Sequence, residues 1–336
     1  MDADISVDAD IGIVAAASCL PQTTRTTAEL FRDEGLELSA EQADRLGIDA
    51  VRVCVDETGS PLALRAARDA IRQSGLTPAD IGVIVDYSVM PQEYLVPSWS
   101  MSNRLQHELG ATRAFTVGFS GGGSTQLHVA IRFAVSLLGT DDRIETALLL
   151  GADVAIPGNR VINRGDPFTV LGDGATALVL RRGAERNVIV GTGLASNGDA
   201  HDVICIRGGA MNHPTRADLY RLELDAGMVR RHAWDGTLNR LTGAVLESAG
   251  IGLAEVACWL YPNISAADTR RYVNALGIAP DRIDPRNRMR YGHVQASDLV
   301  LNYLSAASTG AVEPGSHLLM SSHGMGFSFG VTLIRH

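Results

Sequence analysis

The chain has 336 residues, 46% of them hydrophobic and 20% charged, and carries a net charge of −9. That length and apolar content suit one large globular domain or two fused ones. An acidic chain without a basic arm argues against nucleic-acid binding, which needs clustered Lys and Arg for phosphate contacts. The four cysteines (Cys19, Cys54, Cys205 and Cys258) form no C-x-x-C pair, so free thiols in a reducing cytoplasm are expected rather than a disulfide framework or a zinc site. The acidic residues 1–10 do not read as a signal peptide, and no apolar run reaches the roughly 18 residues of a membrane helix.

Helical and strand-like segments alternate in chain order, which predicts an α/β fold. Residues 11–21 read as a buried strand ending at Pro21. Residues 60–81 open an amphipathic helix: Ser60 caps it, Pro61 starts it, Leu62, Ala66, Ala70 and Ile71 share a face, and Gly75 stops it. The continuous apolar run 81–89 suits a strand covered on both faces. A proline-punctuated loop leads to a helix from about Ser98 to Gly110. The segment "AFTV" (114–117) is a short strand, and the helix expected from about Gly121 to Leu138 has Leu127, Ala130, Ile131, Ala134, Val135 and Leu138 on its apolar side. Further strands are expected at 145–155 and 170–183. The second half repeats this grammar: helix, turn and strand over 236–263, helices at 266–278 and within 291–308, and strand, glycine turn, strand over 315–334.

Between strand and helix lies "GFSGGGS" (118–124). It matches the G-x-S-x-G elbow of esterases, and its glycines would let a backbone approach a substrate closely. Ser120 reads either as a nucleophile or as the cap of a structural glycine turn. A serine nucleophile needs a base. Among nine histidines, His107, His128 and His232 fall in predicted helices, His336 ends the chain, and His201 and His213 lie in loops. His293 stands at the mouth of a helix with Asp298 five residues on, close enough for the carboxylate to orient the imidazole. His323, in a glycine turn, is the reserve candidate. A hydrolase with Asp173 or Asp202 as the acid is the alternative. It fits less well, because the best histidine–acid pair runs His then Asp and no H-G-G-G-like segment precedes Ser120.

Five ordered motifs carry a resemblance over nearly the whole chain: the segment 76–117 leading into the active-site strand, with Pro97-Ser98 and Leu109-Gly110; "LGDGATALVL" (171–180); "WLYPN" (259–263); "RYGHVQASD" (290–298); and "GMGFSFGVTLI" (324–334). Together they resemble ketoacyl-ACP synthase III of the thiolase superfamily. The resemblance implies a thiolase fold. Two similar halves, 1–183 with the nucleophile and 184–336 with the histidine, aspartate and glycine turn, would form a five-layered αβαβα core and a dimer. The chain departs from the family at its chemistry. Ser120 stands where the nucleophilic cysteine is expected if the helix is aligned, Gly121 if the preceding strand is aligned. Asn263 occupies the histidine position and His293 the asparagine position.

The altered set Ser120, Asn263, His293 and Asp298 resembles a secondary-metabolite branch that transfers acyl groups. The implied function is acyl transfer from acyl-CoA or acyl carrier protein through a Ser120 ester to an acceptor in polyketide or related biosynthesis. No resident cofactor or metal is implied, and the site is cytoplasmic. By the same resemblance the backbone N–H groups of Ser120 and of Met325, in the Gly324–Gly326 turn, form the oxyanion hole. Val96 and Leu171 line a pocket for a short or medium acyl chain. The basic spots 286–290 and Arg230-Arg231 are candidates to meet the carrier protein or CoA phosphates. Decarboxylative condensation, with His293 and Asn263 exchanging roles, and a non-catalytic partner of an active synthase are the alternatives.

Overall fold

The computed structural model of the chain describes residues 10–94, 99–225, 227, 234–310, 312–324 and 327–336. Among them, nine strands form one mixed sheet: β1 (Ile11–Cys19), β2 (Val83–Asp86), β3 (Phe115–Gly118), β4 (Thr146–Asp153), β5 (Gly174–Arg182), β6 (Val188–Ser196), β7 (Val256–Leu260), β8 (His317–Gly324) and β9 (Ser328–Arg335). Their order is β7-β8-β9-β6-β1-β5-β4-β2-β3. β1 pairs with β5, and β6 with β9, over eight residue pairs each, but β1 and β6 meet only at Gly12 and Val188. The sheet therefore divides at its centre. Strands from residues 11–182 lie on one side and strands from 188–335 on the other.

Seven helices frame the two parts: α1 (Gly59–Ser74), α2 (Met101–Leu109), α3 (Gln126–Thr140), α4 (Trp234–Ser248), α5 (Ala266–Leu276), α6 (Arg286–Tyr291) and α7 (Ser297–Ser308). On one outer face Leu62, Ala66 and Ala70 of α1 pack against Ala15, Leu148 and Ala177. In the middle, Leu127 and Ile131 of α3 and Leu299 of α7 fill the space between Leu149 and Leu178 of one sheet part and Leu318 and Met320 of the other. On the far side Leu241 and Val245 of α4 and Tyr272 of α5 cover Leu319 and Val331. Strand side chains alternate faces, so Leu148 and Leu149 of β4 enter different layers. The result is a five-layered α-β-α-β-α stack. Each fully buried Leu contributes about 1.5–3 kcal/mol, and the central layer draws on both sheet parts at once.

Most predicted elements stand where expected, with two instructive differences. α1 ends at Gly75, whose left-handed φ of 72° closes the helix, but its N-cap position is Thr58. Ser60, expected as the cap, is instead buried in the first turn, its N–H donating to Glu93 Oε1 at 3.2 Å. The helix expected from Gly121 begins only at Gln126, after a short 3-10 turn at Gly123–Thr125. Gly121 and Gly123 have φ of 91° and 55°. A right-handed helix cannot include such residues, so Ser120 lies outside the helix start rather than on it.

α3 carries a fully buried histidine. His128 Nδ1 pairs with Thr332 Oγ1 at 2.8 Å, and burial pushes its imidazole down to about 3. The folded chain thus refuses a proton that the unfolded chain accepts near 6.5, so this contribution to stability is intact above pH 6.5 and is lost as pH falls toward 3. In denaturant unfolding between pH 7 and 5, His128→Gln is expected to lose stability less steeply than the wild type, by up to about 1.4 kcal/mol per pH unit. Equal slopes would refute this.

Candidate active site

The site forms where three loops meet. The first is the "YGH" segment that enters α7. Its backbone runs beside the "LGDG" turn: His293 N–H donates to Val170 O at 3.0 Å, and Gly172 N–H donates to His293 O at 3.1 Å. A side chain at Gly172 would put its Cβ 2.1 Å from the Tyr291 carbonyl oxygen, so only glycine permits this contact. The backbone of His293 is therefore held from both sides before its side chain does anything.

The imidazole is held as firmly. His293 Nδ1 lies 2.6 Å from Asp298 Oδ2, and the two side chains are 3% and 0% exposed. Asp298 also accepts from Asn263 N–H (2.7 Å), Val294 N–H (2.7 Å) and Asn263 Nδ2 (3.3 Å). Four donors converge on its two oxygens, a complement that a carboxylate can accept in full. With Nδ1–H donated to Asp298, Nε2 is the basic nitrogen. Asn263, expected among the catalytic groups, engages its carboxamide with Asp298 and, through Oδ1, with Asn302 Nδ2 at 3.2 Å. Its position in the structure is that of a support for Asp298.

His293 faces a small cavity of about 30 Å³ with mostly apolar walls, among them Leu171, Ile264 and Phe327. Ser124, Thr169, Gln295 and His323 supply its other polar side chains. His323 belongs to a second pair: its Nε2 lies 3.3 Å from each oxygen of Asp268, and Asp268 also accepts from Tyr261 OH at 2.8 Å. Sequence spacing offered no route to this pair, because the partners are 55 residues apart.

Ser120 lies next door. It is exposed on a cleft of about 840 Å³ and forms no hydrogen bond with His293. The serine of this turn that reaches the His293 cavity is Ser124, buried in the 3-10 turn just before α3. Gly324 ends β8 directly against the Gly122–Ser124 backbone, and Ser322 Oγ donates to Ser124 O at 3.2 Å. Met325, Gly326, Val96 and Arg230-Arg231 lie outside the described residues.

Other candidates have settled roles. Asp173 is paired with Arg160 at 2.8 and 2.7 Å and accepts from Cys54 and Ala155 N–H, so it is no partner for a histidine. Asp202 is exposed beside His201. In α6, Arg286 pairs with Asp284, and Arg288 is partly buried against Gly47 O and Thr269 Oγ1. All four cysteines are free. Burial pushes the thiol of Cys54 up to about 12 and that of Cys258 up to about 11, so neither offers a thiolate. Among the described residues, no three His, Cys, Asp or Glu side chains converge to hold a metal ion, and no helix is long and apolar enough to cross a membrane.

Residues 246–336 match the family model of the 3-oxoacyl-[acyl-carrier-protein] synthase III C terminus. This span carries Asn263, His293, Asp298 and the β8–β9 turn. This C-terminal part of the chain is thus similar to ketoacyl-ACP synthase III. The whole chain is 28% identical to the β-ketoacyl-[acyl-carrier-protein] synthase III of Rhizorhabdus wittichii, over 96% of this chain and 98% of that protein. It is 25% identical to the enzyme of the same name from Symbiobacterium thermophilum, over 97% and 98%. Among solved structures, the Pseudomonas aeruginosa synthase III superposes with a TM-score of 0.81 at 20% identity, covering 97% of this chain and 98% of that one, which shows the shared thiolase fold. ChlB3, an acyltransferase, superposes at the same TM-score with 25% identity, over 97% of each chain. The synthase III-like chain is thus an enzyme of the acyltransferase class.

The His293–Asp298 pair makes a direct test. Asp298→Asn offers one acceptor oxygen to donors that now use two, and turns an amide toward the imidazole. The rate of acyl transfer is expected to fall by about 10²–10⁴ with little change in KM, and thermal unfolding should show a loss of about 1–3 kcal/mol. Steady-state kinetics and calorimetry check both.

Proposed function

We propose that this synthase III-like chain transfers a short or medium acyl group from a CoA or carrier-protein thioester, through a Ser120 ester, to an acceptor. The observation that carries this reading is the buried His293 Nδ1–Asp298 Oδ2 contact at 2.6 Å beside the serine turn. His293 Nε2 takes the Ser120 proton as Oγ attacks the thioester carbonyl, and returns it to the leaving thiol. In the second half the acceptor gives its proton to Nε2 and takes the acyl group, and Ser120 regains its hydrogen. The reaction needs Oγ to come within about 3 Å of Nε2. Gly121, Gly122 and Gly123 give the backbone beside Ser120 the freedom for that approach. Backbone N–H groups of the turn, with Gly324 packed against it, would stabilise the oxyanion, a contribution of roughly 10²–10³ per donor.

Condensation is less well supported. It requires two side-chain donors aimed at the substrate, and the Asn263 carboxamide is turned to Asp298 and Asn302. The reading includes a homodimer acting in the cytoplasm on a polyketide or other secondary metabolite, without a resident cofactor. One observation favours a second assignment of the nucleophile: Ser124, not Ser120, lines the cavity that His293 faces.

Intact-mass measurement after incubation with acetyl-, butyryl- and hexanoyl-CoA tests both. A one-acyl adduct is expected on the wild type, absent from Ser120→Ala and retained in Ser124→Ala. The reverse pattern would move the nucleophile to Ser124, and no adduct with any thioester would reject the acyl-enzyme.

A further inference from the structure

α7 packs into the centre of the molecule through Leu299, Val300 and Tyr303. Another side of the helix carries a polar stripe of Asp298, Asn302 and Ser305, whose spacing brings neighbouring side chains together on one face. Asp298 and Asn302 are buried, so they must find their partners within the protein. They find them in a chain of carboxamides. Asn287 of α6 donates from Nδ2 to Asn302 Oδ1 and to Ser305 Oγ, both at 2.9 Å. Asn302 donates from Nδ2 to Asn263 Oδ1 at 3.2 Å, and Asn263 donates from Nδ2 to Asp298 Oδ1 at 3.3 Å. The chain ends on the carboxylate that holds the His293 imidazole. Its outer members, Asn287, Asn302 and Ser305, line a separate cavity of about 370 Å³ beside β7.

A carboxamide can be turned over, exchanging its oxygen and its NH2 group, unless a neighbour forbids it. Here a backbone carbonyl forbids it. Tyr261 O can only accept, and it receives from Asn302 Nδ2 at 2.8 Å. The Asn302 NH2 group therefore faces Tyr261 and Asn263. Asn263 is left to receive on its oxygen and to give from its nitrogen. The three amides thus run in one sense, each N–H aimed along the chain toward Asp298. In that sense their dipoles favour a charged carboxylate. Turned over, Asn263 would set an oxygen against it.

We propose that Asn302 is a positioning residue for acyl transfer. By fixing which way the Asn263 carboxamide faces, it keeps a donor on Asp298 and keeps Asp298 aimed at His293 Nδ1. The inference rests on the acyl-transfer reading for its effect on rate, whereas the contact it controls exists in the free protein. Asn302 lines neither the His293 cavity nor the Ser120 cleft and acts through Asn263. Without it, Asn263 Oδ1 loses its donor and the carboxamide is free to turn its oxygen to Asp298. Two facing oxygens repel, and the carboxylate moves off the imidazole.

The contact is read by the downfield Nδ1–H proton resonance of His293, assigned by its absence in Asp298→Asn. Its consequence is read by steady-state acyl transfer from acyl-CoA. Asn302→Leu keeps the size of the side chain, and Asn302→Asp keeps its shape while removing the donor. Each is expected to move the resonance upfield and broaden it, and to lower kcat by about 10–100-fold with KM within about threefold. Val300→Ala, on the apolar side of the same helix, should lower Tm and leave the resonance in place. The decisive arm is the Asn263→Leu background, where no carboxamide remains to be oriented. There Asn302→Leu should change kcat by less than about threefold and leave the resonance where Asn263→Leu alone puts it. Asn302→Asp carries both arms should Asn302→Leu not fold. An unmoved resonance in a folded Asn302 variant, an equal shift in Val300→Ala, or a full effect of Asn302→Leu in the Asn263→Leu background overturns the proposal. A wild type that forms no acyl adduct rejects the acyl-enzyme alone, because the resonance still decides the role of Asn302 in the free protein.

Discussion

A carboxylate sealed from water must have its lone pairs filled by the protein, and Asp298 meets that demand by drawing the stretch after β7 and the loop entering α7 together. Its donors are Asn263, three residues past the end of β7, and the Val294 N–H and His293 imidazole of the loop entering α7. An ionised carboxylate without them would face several kcal/mol of desolvation. The same bonds that make Asp298 tolerable fix the imidazole tautomer. They also tie the end of β7 to the start of α7, so the site and the packing around it are one arrangement.

Around that anchor the two parts of the sheet contribute different things. The part formed by residues 11–182 delivers the serine turn between β3 and α3 and the Leu171–Asp173 turn that clamps His293 by its backbone. The other part delivers the histidine, its aspartate and the end of β8 that meets the serine turn. Neither part holds both His293 and the serine turn. The central layer of α3 and α7, packed against both, brings them into one neighbourhood. The glycines of the turn have a double effect: they delay α3 to Gln126, and they leave Ser120 on the cleft side while Ser124 reaches the cavity. Polar groups then mark the route between the two spaces. Gln295 lines both spaces.

Local chemistry was legible in the chain itself. Apolar periodicity placed α1, α3, α5 and nearly every sheet strand, because each element reports its own buried face. Gly75 marked the end of α1, since a left-handed residue has no place within a right-handed helix. The pairing of His293 with Asp298 was also readable, because five residues at a helix entrance span a distance that a short loop closes. The motif order pointed to the thiolase fold, and the chain superposes on a synthase III structure over 97% of its length.

What tertiary structure alone decided is everything that depends on which surfaces meet. The spacing of Ser120 could not show that left-handed glycines would turn it away from the helix start, nor that Ser124 would face the histidine. Asn263 looked like a group aimed at substrate, and packing made it a brace for Asp298. His323 found Asp268 across 55 residues, and Gln126 joined Gln295 on one wall although they come from opposite halves of the chain. Periodicity encodes the face a residue shows within its own element. The partner on that face is chosen by close packing between elements distant in sequence, and no local pattern records it.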